Sequence, residues 1–517
     1  MLYIVWALPA LIVIGLLASG RASTLVAAGI GLLVAMVVAL GAAPGGFQLR
    51  DGASALFRGA WIGWIVVPYI LGGLLFWQMA VRPGDAAIPV ESLRRNRQSR
   101  RRLLFAACFL IGPFSESATG FGVGIVGTML LLRRLDLQPV YLMAFSLLSQ
   151  TMILWGGMGN GAIVAGAFSR SDPTMLAVNA SFFQVALNAL WLPLYWRMAE
   201  KAGIGASCRE CLSEVVWLGG SLLLLIAATR ALGPEVAMLC AYGPVIVLRY
   251  IVDERPDAGQ LLDAVRRMAP FALLIALLMA TRLILPVREL LLQTGRLEPF
   301  VGAPAWSPLF HAGTWLAFGA VICAFLYGHV SSLGSQVLTA WRTGRLAILA
   351  IIIFSMMAEL LSSSGIAAAL GEGINSAAGG GALTCLALVS AAFGALANSG
   401  NAANGLFMSS QVSLAKEAGL NVAAVIALQH TAALALNCTS GSDHAFRTTE
   451  ESANAVSVSR TPGSSDICCQ IWRIRSACED STLTTRSKSP VMTSQATTSG
   501  ILRRTLMTSP PLMRSWR

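Results

Sequence analysis

The chain has 517 residues, 56% of them hydrophobic and only 12% charged, with mean hydropathy +0.68 and a formal net charge of +12. A soluble domain carries about a quarter of its residues as charged groups, so a soluble globular fold is excluded. The basic excess lies in loops without aromatic interleaving, which argues against a nucleic-acid partner and for retention beside an anionic leaflet.

Apolar runs recur along about the first 435 residues, each near the roughly 20 residues that cross the hydrocarbon. In chain order they are Leu2–Ala18, Ser23–Ala43, Ala60–Val81, Val140–Phe168 with a polar break, Pro173–Trp196, Glu214–Thr229, Glu235–Leu248, Pro270–Pro286, Phe310–Tyr327 and Leu346–Leu361. One such run could be a core helix; ten define an all-α polytopic membrane protein. The first run, in MLYIVWALPALIVIG, has no Lys or Arg ahead of it, so no cleavable signal peptide is expected.

Between the third run and the fourth lies SLRRNRQSRRR, Ser92 to Arg102. The positive-inside rule puts it in the cytoplasm, with Arg94–Arg102 expected against anionic lipids. Arg21, Arg133 and Arg134, Arg197, Lys201, Arg209, Arg249, Arg255, Arg266, Arg267, Arg342 and Arg345 then also fall inside. Leu103 to Leu132 must therefore enter and return as a re-entrant hairpin. Its tip is expected to be non-helical over Pro113–Gly120, in FSESATGFGVGIVG. Such backbone persists at membrane depth only against protein or a wet cavity. Glu116 there, costly in lipid, is expected to face a cavity or carry a proton, unless it merely ends a helix. Gly122, Gly124 and Gly127 match a dinucleotide loop in spacing, but no soluble βαβ unit or following acidic residue supports that reading.

A second polar island, GALANSGNAANGLF from Gly394 to Phe407, lies 284 residues on, taking Ser115 to Ser399. The same offset pairs the charged turns Arg133-Arg134 and Lys416-Glu417 and the phrases LDLQPVYLMA and AGLNVAAVIA. It also brings GGMGNG, Gly156–Gly161, near NCTSGSDH. Seven crossings separate the two hairpins, so the second, about Gly381–Gln411, is expected to enter from outside: an inverted repeat of the secondary-transporter type, with two re-entrant hairpins and broken helices. Five regions follow: helices and the basic loop over 1–102, a first repeat core over 103–212, scaffold helices over 213–345, a second repeat core over 346–440, and a polar tail over 441–517.

Half-helix N-termini meeting near the midplane suit an anion. The expected substrate-binding residues are Ser115, Ser117, Thr119, Gly120, Gly122, Asn160, Asn398, Ser399, Asn401 and Asn404, although each Ser or Asn singly is as well explained by capping. Neither hairpin contains Arg or Lys. Arg282 is expected to snorkel to an interface, with a substrate counter-ion as the alternative. Glu359 reads as a helix-end carboxylate, and His430 as a core histidine or a proton relay. Cys208 and Cys211 form a lone CxxC with no partner pair, read as reduced thiols. No metal and no cofactor is expected.

At the two islands the sequence resembles the L-lactate permease family. The family's Glu-Gly-Ala-Ala-Gly-Phe-Gly is matched by Glu116-Ser117-Ala118-Thr119-Gly120-Phe121-Gly122. Its Thr-Gly-Ser-Asp-Thr-Ser-Ser-Asn-Ala-Leu-Phe aligns with Ala397-Asn398-Ser399-Gly400-Asn401-Ala402-Ala403-Asn404-Gly405-Leu406-Phe407. The family's Asp falls on Gly400, two hydroxyls on Ala402 and Ala403, and a usual proline on Gly124. The resemblance implies import of a small monocarboxylate, lactate or glycolate, with H+ across the bacterial inner membrane, with a homodimer left open. It leaves Glu116 as the carboxylate for proton coupling. Na+-coupled or exchange transport of another organic anion is the alternative. An enzyme or sensor fits less well: four histidines stand in no ligand spacing, and no nucleophile–base set or signalling domain is visible. The repeat calls for a further crossing near residue 480, where FRTTEESANAVSVSRTPGSSDICCQIW has no apolar period. A disordered tail or a shifted reading frame near Asn437–Gly441 accounts for it, the latter fitting the repeat better.

Overall fold

The apolar runs fold as helices, and the chain is an all-α polytopic membrane protein. The computed structural model describes residues 2–80, 97–120, 122–151, 153, 155–397 and 399–435. Arg94, Asn398, the NCTSGSDH segment and the expected tail lie outside the described residues. Six helices among the described residues are long and apolar enough to cross a membrane, seven if one bent pair counts as a single span.

Helices α1 (Leu2–Ala18), α2 (Thr24–Ala42) and α3 (Leu49–Ala80) open the chain. Helix α3 starts eleven residues before the apolar run expected there. Its polar first turns carry Arg58, whose guanidinium lies 2.8 Å from Glu359, so Glu359 is an ion-pair partner and not simply a helix-end carboxylate. Small residues let α3 lie against two later helices. A Cβ on Gly59 would sit 2.4 Å from Met356 Cα, and one on Gly72 2.2 Å from Gly313 O.

The first hairpin follows. Helix α4 (Arg97–Ala106) runs through a five-residue π turn, Ala107–Ile111, directly into α5 (Gly112–Thr119). Its return arm is α6 (Val123–Leu132) and a 3-10 turn, Arg133–Leu135. Ten α-helical residues rise about 15 Å, half of the ~30 Å hydrocarbon. The arms close on themselves: Arg100 Nη2 donates to Leu135 O at 2.5 Å. The run expected as a non-helical tip is helical to Thr119, and the return arm opens at Val123.

The hairpin base corrects the lipid assignment at Arg101. Arg101 is 2% exposed and donates from Nε and Nη2 to Glu214, at 2.7 and 2.8 Å, and from Nη1 to Ile204 O at 2.9 Å. Trp196 Nε1 donates to the same carboxylate, and Tyr195 lies under the guanidinium. Arg102 Nη1 donates to Asp253 O, beside the Arg249–Asp253 pair. A desolvated guanidinium needs such partners, so Arg101 binds protein and not headgroups, while Arg100 and Arg102 also donate to protein carbonyls. The same contacts gather residues 100, 135, 204, 214 and 253 into one cluster.

Helix α7 (Pro139–Gln150), a break and α8 (Asn160–Ser169) lead to α9 (Pro173–Lys201), α10 (Cys208–Leu232) and α11 (Pro234–Glu254). Helix α12 (Ala258–Leu283) begins twelve residues before Pro270, at an Asp257–Gln260 capping box, and bends by 88° into α13 (Leu285–Gln293). Helices α14 (Ala312–Leu326), α15 (Leu333–Ser363) and α16 (Ile366–Ala378) precede the second hairpin, α17 (Ala382–Ala397) and α18 (Gly400–Glu417), which is followed by α19 (Val422–Ala435). The repeat offset drifts. Pro139 and Val422, which open α7 and α19, are 283 residues apart, but the N-caps Gly122 and Ser399 are 277 apart. The second return arm is longer, so Ser399 sits after its turn while Ser115 lies inside a descending helix.

Candidate substrate site at the hairpin tips

Glycines build the first tip. Gly120 has φ 71° and ψ −179°, a region essentially confined to glycine, and Gly122 is left-handed. A Cβ on Gly124 would lie 2.5 Å from Glu116 Cβ and 2.6 Å from its N, so the arms meet almost backbone to backbone. That approach brings Glu116 to the end of α6. The N–H of Gly122 donates to Oε1 and that of Gly124 to Oε2, each at 2.8 Å. Those donors have no intrahelical partner, and the dipole there favours negative charge. The amides expected to face a bound anion are held by the chain's own carboxylate.

The other first-tip residues are buried within α5: Ser115, Ser117 and Thr119 are each 7% exposed or less. Thr119 Oγ1 donates back to Ser115 O at 2.7 Å, a local bond of the kind hydroxyls make inside helices. Helix α3 closes on the tip at Gly73, where a Cβ would sit 2.9 Å from Thr119 O.

The break between α7 and α8 lies directly under this tip. Gly156 repeats the Gly120 conformation, with φ 74° and ψ −179°, and buried Met158 is held at φ 51°, unusual for a bulky residue. A Cβ on Gly157 would lie 2.8 Å from Gly120 Cα, and one on Gly159 2.7 Å from Glu235 N. The backbone is satisfied across the break by the N–H of Gly161 donating to Trp155 O at 2.8 Å.

The second tip reaches the same break. Ser399 Oγ caps α18 by accepting the Ala402 N–H at 3.2 Å, which commits it to the helix. Asn401 Nδ2 donates to Asn160 Oδ1 at 3.4 Å, and Asn404 Nδ2 lies 3.0 Å from His430 Nδ1. His430 is fully buried, and a Cβ on Gly161 would be 3.4 Å from its Cε1. Gly120, Asn160, Asn401 and Asn404 are thus assembled around one break, with Glu116 behind Gly122. Two surface clefts, of about 700 Å³ by Trp196, Glu200 and Glu210 and about 590 Å³ by Asp51, Arg58 and Ser363, include none of these residues.

Arg282 neither snorkels nor faces the tips. Its Nη2 donates to Glu235 Oε2 at 2.5 Å and to Phe310 O at 3.1 Å, and its Nη1 donates to Thr281 Oγ1 at 2.7 Å. The guanidinium also sits 4.3 Å over the Phe310 ring. The sequence reading left His430 outside the site and missed a neighbouring amide chain, Gln411 Nε2 to Gln429 Oε1 and Gln429 Nε2 to Ser390 Oγ. The available signal was helical spacing: Asn401, Asn404 and Gln411 share one face of α18 at 100° per residue.

No protein-family model matches the chain. It is similar to the L-lactate permease of Escherichia coli (strain K12), 26% identical over 215 residues that cover 38% of this chain and 37% of that protein. The L-lactate permease of Salmonella typhi is 26% identical over 219 residues, 41% of this chain and 38% of that protein. The glycolate permease GlcA of Escherichia coli (strain K12) is 25% identical over 215 residues, 41% and 37%. The matches thus span little more than a third of the length of these curated relatives. The chain is a multi-pass membrane protein with distant similarity to bacterial permeases for lactate and glycolate.

Proposed function

We propose that the chain carries a small monocarboxylate, of the L-lactate or glycolate kind, across the bacterial inner membrane together with a proton. The observation that carries this reading is the grip of the Gly122 and Gly124 amides on Glu116. A helix terminus that holds one carboxylate with two N–H donors is suited to hold another. Distant similarity to permeases for lactate and glycolate supports the same class of cargo.

The geometry suggests how coupling is enforced. While Glu116 is ionised it occupies both amides, and a substrate carboxylate finds neither donors nor a favourable field. A proton on Glu116 removes its charge and weakens its hold, since bonds to charged groups contribute about 1.5–3 kcal/mol against about 1 for neutral ones. The substrate carboxylate then takes the N–H groups, and the site carries the same net charge as before. Asn160, Asn401 and Asn404 line the other side of the substrate, Gly120 gives it close backbone approach, and Ser115, Ser117, Thr119 and Ser399 shape the two tips. Residues 103–212 and 346–440 serve as the two repeat cores on this reading.

The test is uptake of labelled L-lactate, glycolate and acetate into proteoliposomes, with pH and Na+ gradients imposed separately. We expect accumulation driven by the pH gradient, and loss of that accumulation in Glu116→Gln with exchange retained. A Glu116→Gln protein that still concentrates substrate on a pH gradient removes Glu116 from coupling, and accumulation that follows only the Na+ gradient removes the proton.

A further inference from the structure

Helix α9 carries a polar stripe through the core. Gln184, Asn188, Trp191 and Tyr195 fall within about 60° of one another at 100° per residue, and Gln184, Asn188 and Tyr195 are each 2% exposed or less. From Gln184 to Tyr195 the stripe rises about 16 Å, about half the hydrocarbon thickness. One end meets the helix break, where Gln184 Nε2 donates to Thr151 O at 3.3 Å. The other meets the Arg101–Glu214 pair, where the guanidinium carbon lies 4.5 Å from the centre of the Tyr195 ring.

Hydrogen bonds between protein groups account for only part of this stripe. Asn188 Nδ2 donates to Gln184 O at 2.8 Å, and because the acceptor is a backbone carbonyl the amide can lie only one way. Asn188 Oδ1 is then buried without a partner among the described residues, as are Trp191 Nε1 and the Tyr195 hydroxyl. An indole and a phenol have no flipped orientation to choose. Each unmade buried bond costs about 1–3 kcal/mol. Ordered water satisfies such groups, each molecule making about three hydrogen bonds.

An orphan of the same kind stands one turn behind Glu116. A Cβ on Gly112, one helical turn before Glu116 on α5, would lie 2.5 Å from Thr128 Oγ1 and 2.7 Å from Ser149 Cβ. Thr128 is 1% exposed, and its hydroxyl has no partner among the described residues. Ser149 joins Thr128 to the end of α7 that Gln184 contacts through Thr151.

Resting on the proton-coupled reading above, we infer that these groups hold a file of water, and that the proton passes along it between Glu116 and the surface cleft at Trp196. The hydroxyls of Thr128 and Tyr195 both donate and accept, so they relay the proton, while Asn188 and Trp191 hold water in line. At each step one O–H bond breaks as the next forms, and only hydrogen moves. The mouth is the cleft of about 700 Å³ lined by Trp196, Glu200 and Glu210, whose carboxylates exchange the proton with solvent. Trp196 Nε1 donates to Glu214 at 2.7 Å, and Glu214 balances the charge of Arg101 beside Tyr195.

Radiolytic labelling of the full chain in proteoliposomes reads the water directly, because hydroxyl radicals made from bound water oxidise the side chains beside it. We expect Tyr195 to be oxidised faster than Tyr242, which is equally buried but stands on α11, off the stripe. Proton uptake driven by L-lactate should fall about tenfold or more in Asn188→Leu and in Thr128→Val. Exchange of labelled for unlabelled L-lactate moves no net proton and should keep its wild-type rate in both variants. Thr128→Val preserves the shape of the side chain, so it decides the matter if Asn188→Leu fails to fold. Tyr195 oxidised no faster than Tyr242, or a Thr128→Val protein with wild-type proton uptake, overturns the inference and leaves proton-coupled transport standing. Wild-type accumulation that ignores the pH gradient removes the proton reading beneath it, and the inference with it.

Discussion

Replacing Arg101 by alanine removes the cation from a carboxylate that has no water to turn to. Glu214 is 3% exposed, and its two oxygens accept from Arg101 at 2.7 and 2.8 Å and from Trp196 at 2.7 Å. Charges with centres about 4 Å apart attract by about 4 kcal/mol at an effective permittivity near 20. Breaking a buried pair from one side costs about 3–5 kcal/mol, whereas exchanging both partners for apolar residues of similar volume is often neutral. Arg101→Ala is therefore expected to lose about 3–5 kcal/mol, and Arg101→Met with Glu214→Leu to recover most of it. Mixed-micelle unfolding followed by tryptophan fluorescence reports both, with Trp196 inside the network. A single variant within about 1 kcal/mol of wild type, the range of an exposed pair, would refute the buried clamp. It would return the basic loop to the lipid surface.

Two further outcomes follow from the same packing. Gly124→Ala puts a methyl 2.5 Å from Glu116 Cβ and 2.6 Å from its backbone N, so the arms must separate and at least one amide bond to Glu116 is lost. The expected result is a loss of about 1–3 kcal/mol, the usual range for overpacking, with substrate accumulation abolished; unchanged transport kinetics would show that the arms do not meet there. Arg282→Met should lower stability by about 2 kcal/mol through the stranded Glu235 and leave the KM for L-lactate unchanged, because the guanidinium is bound to Glu235, Thr281 and Phe310. A variant of normal stability with a large rise in KM would instead make Arg282 the substrate's counter-ion.

Much of the fold was legible where apolar length alone decides it. Helix α1 spans the run read for it residue for residue, and α9 starts at the same Pro173. The sequence misled where charge or proline interrupts a helix that nonetheless continues. The run read for α3 began at Ala60, yet the helix opens at Leu49 and carries Arg58, whose charge is matched by Glu359 on another helix, which no local pattern reveals. Pro270 looked like a start, yet the capping box at Asp257 had already opened α12. At the candidate site, polarity marked two islands that the fold brings to one helix break, but not the direction of their side chains. Glu116 was expected to face a cavity or carry a proton, and only the three-dimensional closeness of Gly124 shows that its oxygens reach the next helix. Asn160 and Asn401, 241 residues apart, share a hydrogen bond that follows from the fold and not from either motif.

The π turn at Ala107–Ile111 determines which way the tip faces. A π turn holds one residue more than the α-helical turn it replaces, and each helical residue rotates the chain by about 100°. Everything after Ile111 is therefore indexed about a quarter-turn away from where an uninterrupted helix would set it. Glu116 owes its aim at Gly122 to that surplus residue: the ten-residue helix ahead of it, clamped at Arg101, acts as the spindle, and a single extra notch decides which compass bearing the acid takes.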